Sequence, residues 1–193
     1  MNIKKIKIPE QFGSLYVCPV PEENRNAEHE TAHELLKSAV QEFAESQNMI
    51  ISEKNLILDY HEYKKPYFKY YPDLYFNLSH CTGLAVCLLS EHECGVDAES
   101  LREVRPAVVR RVFSSEEQKL LEISPEADRL FTRIWTLKES YVKAIGRGIG
   151  FPMQEVNFQF RNDHIICSQK NAEFYHIQYE DYEISTCILQ SGV

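Results

Sequence analysis

Arg133–Gly150 reads RIWTLKESYVKAIGRGIG, and the spacing of its apolar residues decides how the chain is built. Ile134, Leu137, Tyr141, Val142 and Ile145 share one arc at the helical period, so the stretch is an amphipathic helix lying on a core. Lys138 falls inside that arc, where an ammonium costs free energy unless it is paired or snorkels to water. Glu139 and Lys143 flank the arc one turn apart. Such a pair by itself is a surface bridge worth a few tenths of a kcal/mol. A local rule broken in mid-helix is where a site is expected, which makes Trp135-x-x-Lys138-Glu139-x-x-x-Lys143 the first candidate. Gly146, Gly148, Gly150 and Pro152 end the helix.

Working back from this helix, Ser124-Pro125 reads as its N-cap and first-position proline. Ser114 with Glu117 makes a capping box for the helix before it, and Pro106 opens a shorter one carrying Val108, Val109 and Val112. Cys94–Glu99 reads as a strand running into a polar turn. Leu74–Ser79 and Gly83–Ser90 read as paired strands, the second apolar on both faces and so central. Asn55–Tyr60 is a further strand, and Lys64-Lys65-Pro66-Tyr67 a turn entering an extended segment. Glu28 to about Asn48 is an amphipathic helix with Ala32, Leu35, Leu36, Ala39, Val40, Phe43 and Ala44 as its core stripe. Arg25, His29 and His33 near its start read as solvated groups, with anion binding as the alternative. Residues 1–8 and Leu15–Val20 are short strands. Beyond the organising helix, Glu155–Phe160, His164–Ser168, Glu173–Glu180 and Tyr182–Leu189 read as strands, the first two joined by Arg161-Asn162-Asp163. The order of elements roughly doubles. The expectation is therefore an α+β fold of two similar halves, residues 1–93 and 94–193, forming one pseudodimeric unit with its active site at their interface.

With 193 residues, 44% of them hydrophobic, the chain has the balance of an ordinary globular unit. Its net charge of -8 argues against bulk binding to nucleic acid or anionic membranes, so a polyanionic ligand needs a local basic patch. The 6 cysteines are scattered without a C-x-x-C. Cys81, Cys87 and Cys94 lie near His80 and His92, but the spacings fit no usual zinc template, and buried free thiols in a reducing cytoplasm are the reading. No apolar run approaches membrane-spanning length, and the N-terminal lysines precede no apolar segment. A cytoplasmic protein, monomeric and binding neither nucleic acid nor membrane, is expected.

Asp97 and Glu99 lie two apart on a strand, so both carboxylates leave one face. Clustered carboxylates repel, and a hard divalent cation relieves the repulsion. Glu139 supplies a third. Three carboxylates without histidine or thiolate favour magnesium over zinc, while a solvent-facing strand end is the plain alternative for Asp97 and Glu99 alone.

Taken together, Gly95-Val96-Asp97-Ala98-Glu99, Phe113-Ser114-x-x-Glu117 and Trp135-x-x-Lys138-Glu139-x-x-x-Lys143 resemble the ordered signature of the 4′-phosphopantetheinyl transferase superfamily. Lys65-Pro66-Tyr67 and Phe76-Asn77-Leu78-Ser79-His80 resemble further motifs of its pseudodimeric, surfactin-type branch. The resemblance covers Lys65 to Gly150. It implies transfer of 4′-phosphopantetheine from coenzyme A to a serine of an apo acyl-, polyketide- or peptidyl-carrier protein, releasing 3′,5′-adenosine bisphosphate. It implies that Asp97, Glu99 and Glu139 hold Mg²⁺ and that Glu139 also acts as, or positions, the base. Lys138 and Lys143 would neutralise the pyrophosphate, His80 with Ser79 would bind the 3′-phosphate side, and Lys65 with Pro66 would line the adenine and ribose side. Trp135 reads as core.

Glu22-Glu23-Asn24-Arg25-Asn26 stands where such members often carry an arginine-rich run, leaving Arg25, with His33 farther on, for the 3′-phosphate. The chain is also short for the branch. Arg102, Arg105, Arg110 and Arg111 form the densest basic patch, read either as a docking surface for an acidic carrier or as a solvated helix face. Two other readings use the same residues: another Mg²⁺-dependent phosphate-transferring or hydrolysing enzyme, and a degenerate module that binds coenzyme A or a carrier without turnover.

Overall fold

Residue alternation along the strands sets the layers of this fold. The computed structural model describes residues 1–20, 25–161 and 164–190, with the backbone alone at Arg25 and Ile149. The first half of the described chain runs β1 (Lys4–Ile6), β2 (Ser14–Pro19), α1 (Arg25–Ser46), β3 (Leu58–Tyr60), β4 (Pro66–Phe68), β5 (Tyr75–Cys81) and β6 (Leu84–Ser90). There follow β7 (Cys94–Ser100), α2 (Pro106–Val112), α3 (Ser115–Ile123), α4 (Ala127–Ile145), β8 (Phe158–Arg161), β9 (His164–Cys167), β10 (Ala172–Tyr179) and β11 (Tyr182–Leu189). The fold is α+β, with every strand pairing antiparallel.

One sheet has the order β1-β2-β6-β5 and a second the order β10-β11-β7. The doubly apolar strand, β6, lies inside the first sheet, as its composition requires. Ala85, Cys87 and Leu89 pack with Leu35, Ala39 and Val40 of α1. The alternate residues Leu84, Val86 and Leu88 pack with Val96, Ala98, Ile184 and Ile188 of the second sheet. On the far side of that sheet, Leu137, Tyr141 and Ala144 of α4 pack with Cys187. The layers are thus helix, sheet, sheet, helix.

The capping box at Ser114 forms, with Glu117 N–H donating to Ser114 Oγ at 3.2 Å and Ser114 N–H to Glu117 Oε2 at 2.8 Å. Helix α4 starts at Ala127, later than its Ser124-Pro125 signal suggested. Ser124 instead closes α3, its N–H donating to Leu121 O. At the other end Gly146 takes a left-handed conformation (φ 65°), as a C-cap glycine does. The strand expected from Asn55 is reduced to Leu58–Tyr60, because residues 53–55 form a 3₁₀ turn. The strand expected from Glu155 likewise begins at Phe158, after a 3₁₀ turn over Met153–Glu155. The segment Glu22–Asn24 and the expected turn at Asn162-Asp163 lie outside the described residues. All of the cysteines are free, and all but Cys167 are buried. Among the described residues no helix is long and apolar enough to cross a membrane.

Candidate active site

Gly95 makes the site possible. A Cβ built on it would stand 2.0 Å from the Ser140 carbonyl oxygen, so only a glycine lets α4 lie this close across β7. Two and four residues on, Asp97 and Glu99 leave the same face of β7 and therefore meet the flank of α4. The helical period brings Lys143 and Glu139 to that flank. From the other side comes β5, the edge strand of the first sheet. Its Asn77 Oδ1 accepts from Val96 N–H at 2.9 Å and its Ser79 Oγ from Ala98 N–H at 3.3 Å, stitching the two sheet edges together.

Around this seam lies a cleft of about 370 Å³ lined by Ser79, His80, Asp97, Glu99, Trp135, Glu139 and Lys143, with Leu78. The Lys143 ammonium donates to Asp97 Oδ1 at 2.7 Å, to Ser79 Oγ at 2.9 Å and to Val96 O at 3.1 Å. Ser79 Oγ also donates to Asp97 Oδ1 at 2.9 Å. Asp97 Oδ2 is buried without a hydrogen-bond partner among the described residues. Glu99 is paired with Arg102, and burial, then the Asp97 charge, raises its pKa against the pull of that arginine. Burial pushes Glu139 up to about 7, the Asp97 and Glu99 charges adding to the shift and Lys143 opposing it. Among the described residues no three His, Cys, Asp or Glu side chains converge as a ready-made metal cage. Asp97 and Glu99 are instead held by Lys143 and Arg102.

A second cavity of about 530 Å³ adjoins the first, sharing Trp135 and Glu139 and running along Val108, Arg111 and Val112 of α2 to Phe151–Met153. Trp135 is thus a half-buried wall between two cavities, where its apolar character alone had suggested core. A larger groove of about 840 Å³ lies along Lys5–Ile8 and the end of α1 and shares no lining residue with the cleft. The smaller cleft is the candidate because acid, base and cation meet in it.

Not every predicted residue reaches the cleft. Lys138, expected on the pyrophosphate, is completely enclosed: its ammonium pairs with Glu117 Oε2 at 2.8 Å and donates to Met153 O at 2.9 Å and to Val156 O. It satisfies the core and the loop after α4, leaving no face for a ligand. Lys65, expected beside the adenine, pairs with Glu93 and donates to Ala144 O at 2.6 Å, a cation on the negative end of α4. Pro66 pairs with Tyr60 in the β3–β4 hairpin and is not among the residues lining the cleft. The Arg25 side chain lies outside the described residues.

The structure adds partners that the motifs left unassigned. Glu28 Oε2 stands 3.2 Å from His80 Nδ1, and Asn77 is a stitch between sheets. Arg102 holds Glu99, a pairing that its spacing of three residues could have signalled.

Residues 93–187 match the family described as the 4′-phosphopantetheinyl transferase superfamily. The chain is 29% identical over 150 residues to the 4′-phosphopantetheinyl transferase gsp of Aneurinibacillus migulanus, covering 74% of this chain and 62% of that protein. It is 29% identical over 104 residues to the 4′-phosphopantetheinyl transferase Sfp of Bacillus subtilis (strain 168), covering 53% of this chain and 46% of that protein. A solved holo-(acyl-carrier-protein) synthase of Bacillus anthracis aligns at 15% identity and a TM-score of 0.45, covering 52% of this chain and 96% of that one. The aligned stretches thus span about half to three-fifths of the length of these curated relatives. The matched residues contain the seam of β7 and α4, and over them the chain is similar to the 4′-phosphopantetheinyl transferase superfamily, with curated relatives of its surfactin-type branch.

Proposed function

We propose that this protein transfers 4′-phosphopantetheine from coenzyme A to a serine of an apo carrier protein, in the cytoplasm and with Mg²⁺. The observation that carries the proposal is the cleft in which Asp97, Glu99 and Glu139 face Lys143. The cleft suits a hard cation: its donors are carboxylate oxygens, Asp97 Oδ2 is buried without a partner among the described residues, and the Asp97 charge raises the pKa of both Glu99 and Glu139. Asp97, Glu99 and Glu139 would hold the ion, which supplies charge neutralisation at a pyrophosphate.

The chain's own residues do the rest in this reading. Ser79 and Val96 O fix the Lys143 ammonium, so a cation is already oriented where a phosphate oxygen would gain charge. The carrier serine oxygen bonds to the phosphorus bearing the pantetheine. The phosphoanhydride bond breaks, and its electron pair departs on 3′,5′-adenosine bisphosphate. Glu139, on the wall of the cleft, receives the serine proton or positions the base that does. His80 stands at the rim of the cleft as the 3′-phosphate contact. Residues 1–93 and 94–193 act as the two halves, each contributing to the cleft. The exposed Arg110 and Arg111 at the end of α2, beside the cavity that reaches Glu139, receive an acidic carrier.

The test is to mix the protein with coenzyme A, Mg²⁺ and a panel of apo acyl, polyketide and peptidyl carriers, then weigh the carriers. A phosphopantetheine mass gain that EDTA abolishes is expected. No gain on any carrier, with coenzyme A still bound, would replace the proposal with a binding module without turnover.

A further inference from the structure

Beside the cleft but outside its carboxylate set, two imidazoles of α1 meet. His29 and His33 are one turn apart, with their Nε2 atoms 3.2 Å from each other and ring centroids 4.4 Å apart. That separation serves an N–H···N hydrogen bond, and it also matches one edge of a coordination sphere. With metal–nitrogen distances of about 2.0–2.1 Å, two imidazole nitrogens on one ion stand roughly 3.3 Å apart at the tetrahedral angle and about 2.9 Å apart at a right angle. We propose that His29 and His33 form an open two-point site for a borderline divalent cation of the Zn²⁺, Co²⁺ or Ni²⁺ class, on the His80 rim of the cleft.

The surroundings favour a cation over an anion. Residues 28–34 of α1 carry Glu28, Glu30 and Glu34, with the cations Arg25 and Lys37 one turn before His29 and one turn after His33. A third imidazole, His80, stands edge-on to His29 with centroids 6.4 Å apart, and its Nδ1 is 3.2 Å from Glu28 Oε2. A further nitrogen and a carboxylate are therefore at hand in the same corner. Burial lowers the His33 pKa, and His29, Lys37 and His80 lower it further, so its ring keeps a lone pair at neutral pH. Neutral imidazole suits zinc, cobalt and nickel, whereas magnesium takes oxygen donors and so goes to the carboxylates. Because no three-residue cage closes here among the described residues, water completes the sphere and the ion remains exchangeable. The site is independent of the transfer activity proposed above. Its consequence for the cleft is a removable positive charge beside His80.

Metal-free full-length protein, kept reduced, is titrated with ZnCl₂ and separately with NiCl₂ by calorimetry, with Mg²⁺ in excess to occupy oxygen sites. One equivalent should bind. His29→Gln and His33→Gln should each weaken it by at least roughly tenfold, because each removes one arm of a chelate. Asp97→Asn should leave it unchanged, which separates this site from the carboxylates. His29 is exposed and His33 half-buried, so circular dichroism should show both variants folded, and His29→Gln alone decides if His33→Gln is not. In ¹⁵N spectra both ring signals should move together on ZnCl₂ addition. No binding, or equal binding by wild type and the double variant, overturns the proposal and leaves the pair as a hydrogen bond.

Discussion

The Lys138 ammonium sits 2.8 Å from the Glu117 carboxylate, and both side chains are fully buried. Glu117 is otherwise saturated: it closes the capping box of α3 and accepts from Phe158 N–H at 2.8 Å through Oε1. One buried pair therefore ties α3, α4 and the start of β8 into a single unit behind the cleft.

Lys138→Met should destabilise the protein by about 3–5 kcal/mol, the usual cost of leaving a buried charge unpaired. Urea denaturation would measure it. Coenzyme A affinity of the folded fraction should stay within about twofold, since the lysine has no exposed face. A large loss of affinity with stability unchanged would return Lys138 to the ligand site.

Asp97→Ala and Glu139→Ala should each cut carrier labelling by roughly 10²–10³-fold or more, the scale of losing one preorganised electrostatic group in a transition state. Circular dichroism and thermal unfolding should show both variants folded. Near-normal rates in Asp97→Ala would refute its place in the machinery.

Without metal, Glu139 keeps its proton up to about 7, against 4.5 for an ordinary glutamate. Between these values the folded state binds the extra proton, so the stability contributed by this group is full below about 4.5 and is lost as pH rises through about 7. In EDTA, Glu139→Gln should therefore gain on wild type in urea midpoint between pH 5 and pH 8. A difference that stays flat across that range would mean that the carboxyl is solvated.

Reversing Arg110 and Arg111 to glutamate should raise the apparent KM for an acidic carrier and flatten its salt dependence, leaving coenzyme A binding unchanged. Rim charges act mainly on association and are screened by salt. Carrier kinetics indifferent to both substitution and salt would make the patch plain surface. Arg102 is left out of the test because it is engaged with Glu99.

Local pattern was enough for much of this molecule. The two-residue period put Asp97 and Glu99 on one face, the capping box marked α3, the apolar stripe marked α1, and the doubly apolar run marked an inner strand. These features depend on neighbours a few residues away, and the chain carries them wherever it folds. Which lysine of α4 meets the cleft could not be read in this way. Lys138 and Lys143 lie on one helix, and only the packing of α3 and the residue 153–158 segment encloses the first, while Gly95 draws β7 against the second. Lys65 turned to Glu93 and the end of α4 for the same reason, since its partners lie 28 and 79 residues away. The pairing of His29 with His33 follows from one helical turn, but their meeting with His80 needs β5 beside α1. Periodicity assigns a side chain to a face of its own element. What that face meets is settled by contacts distant in sequence, and so by tertiary structure alone.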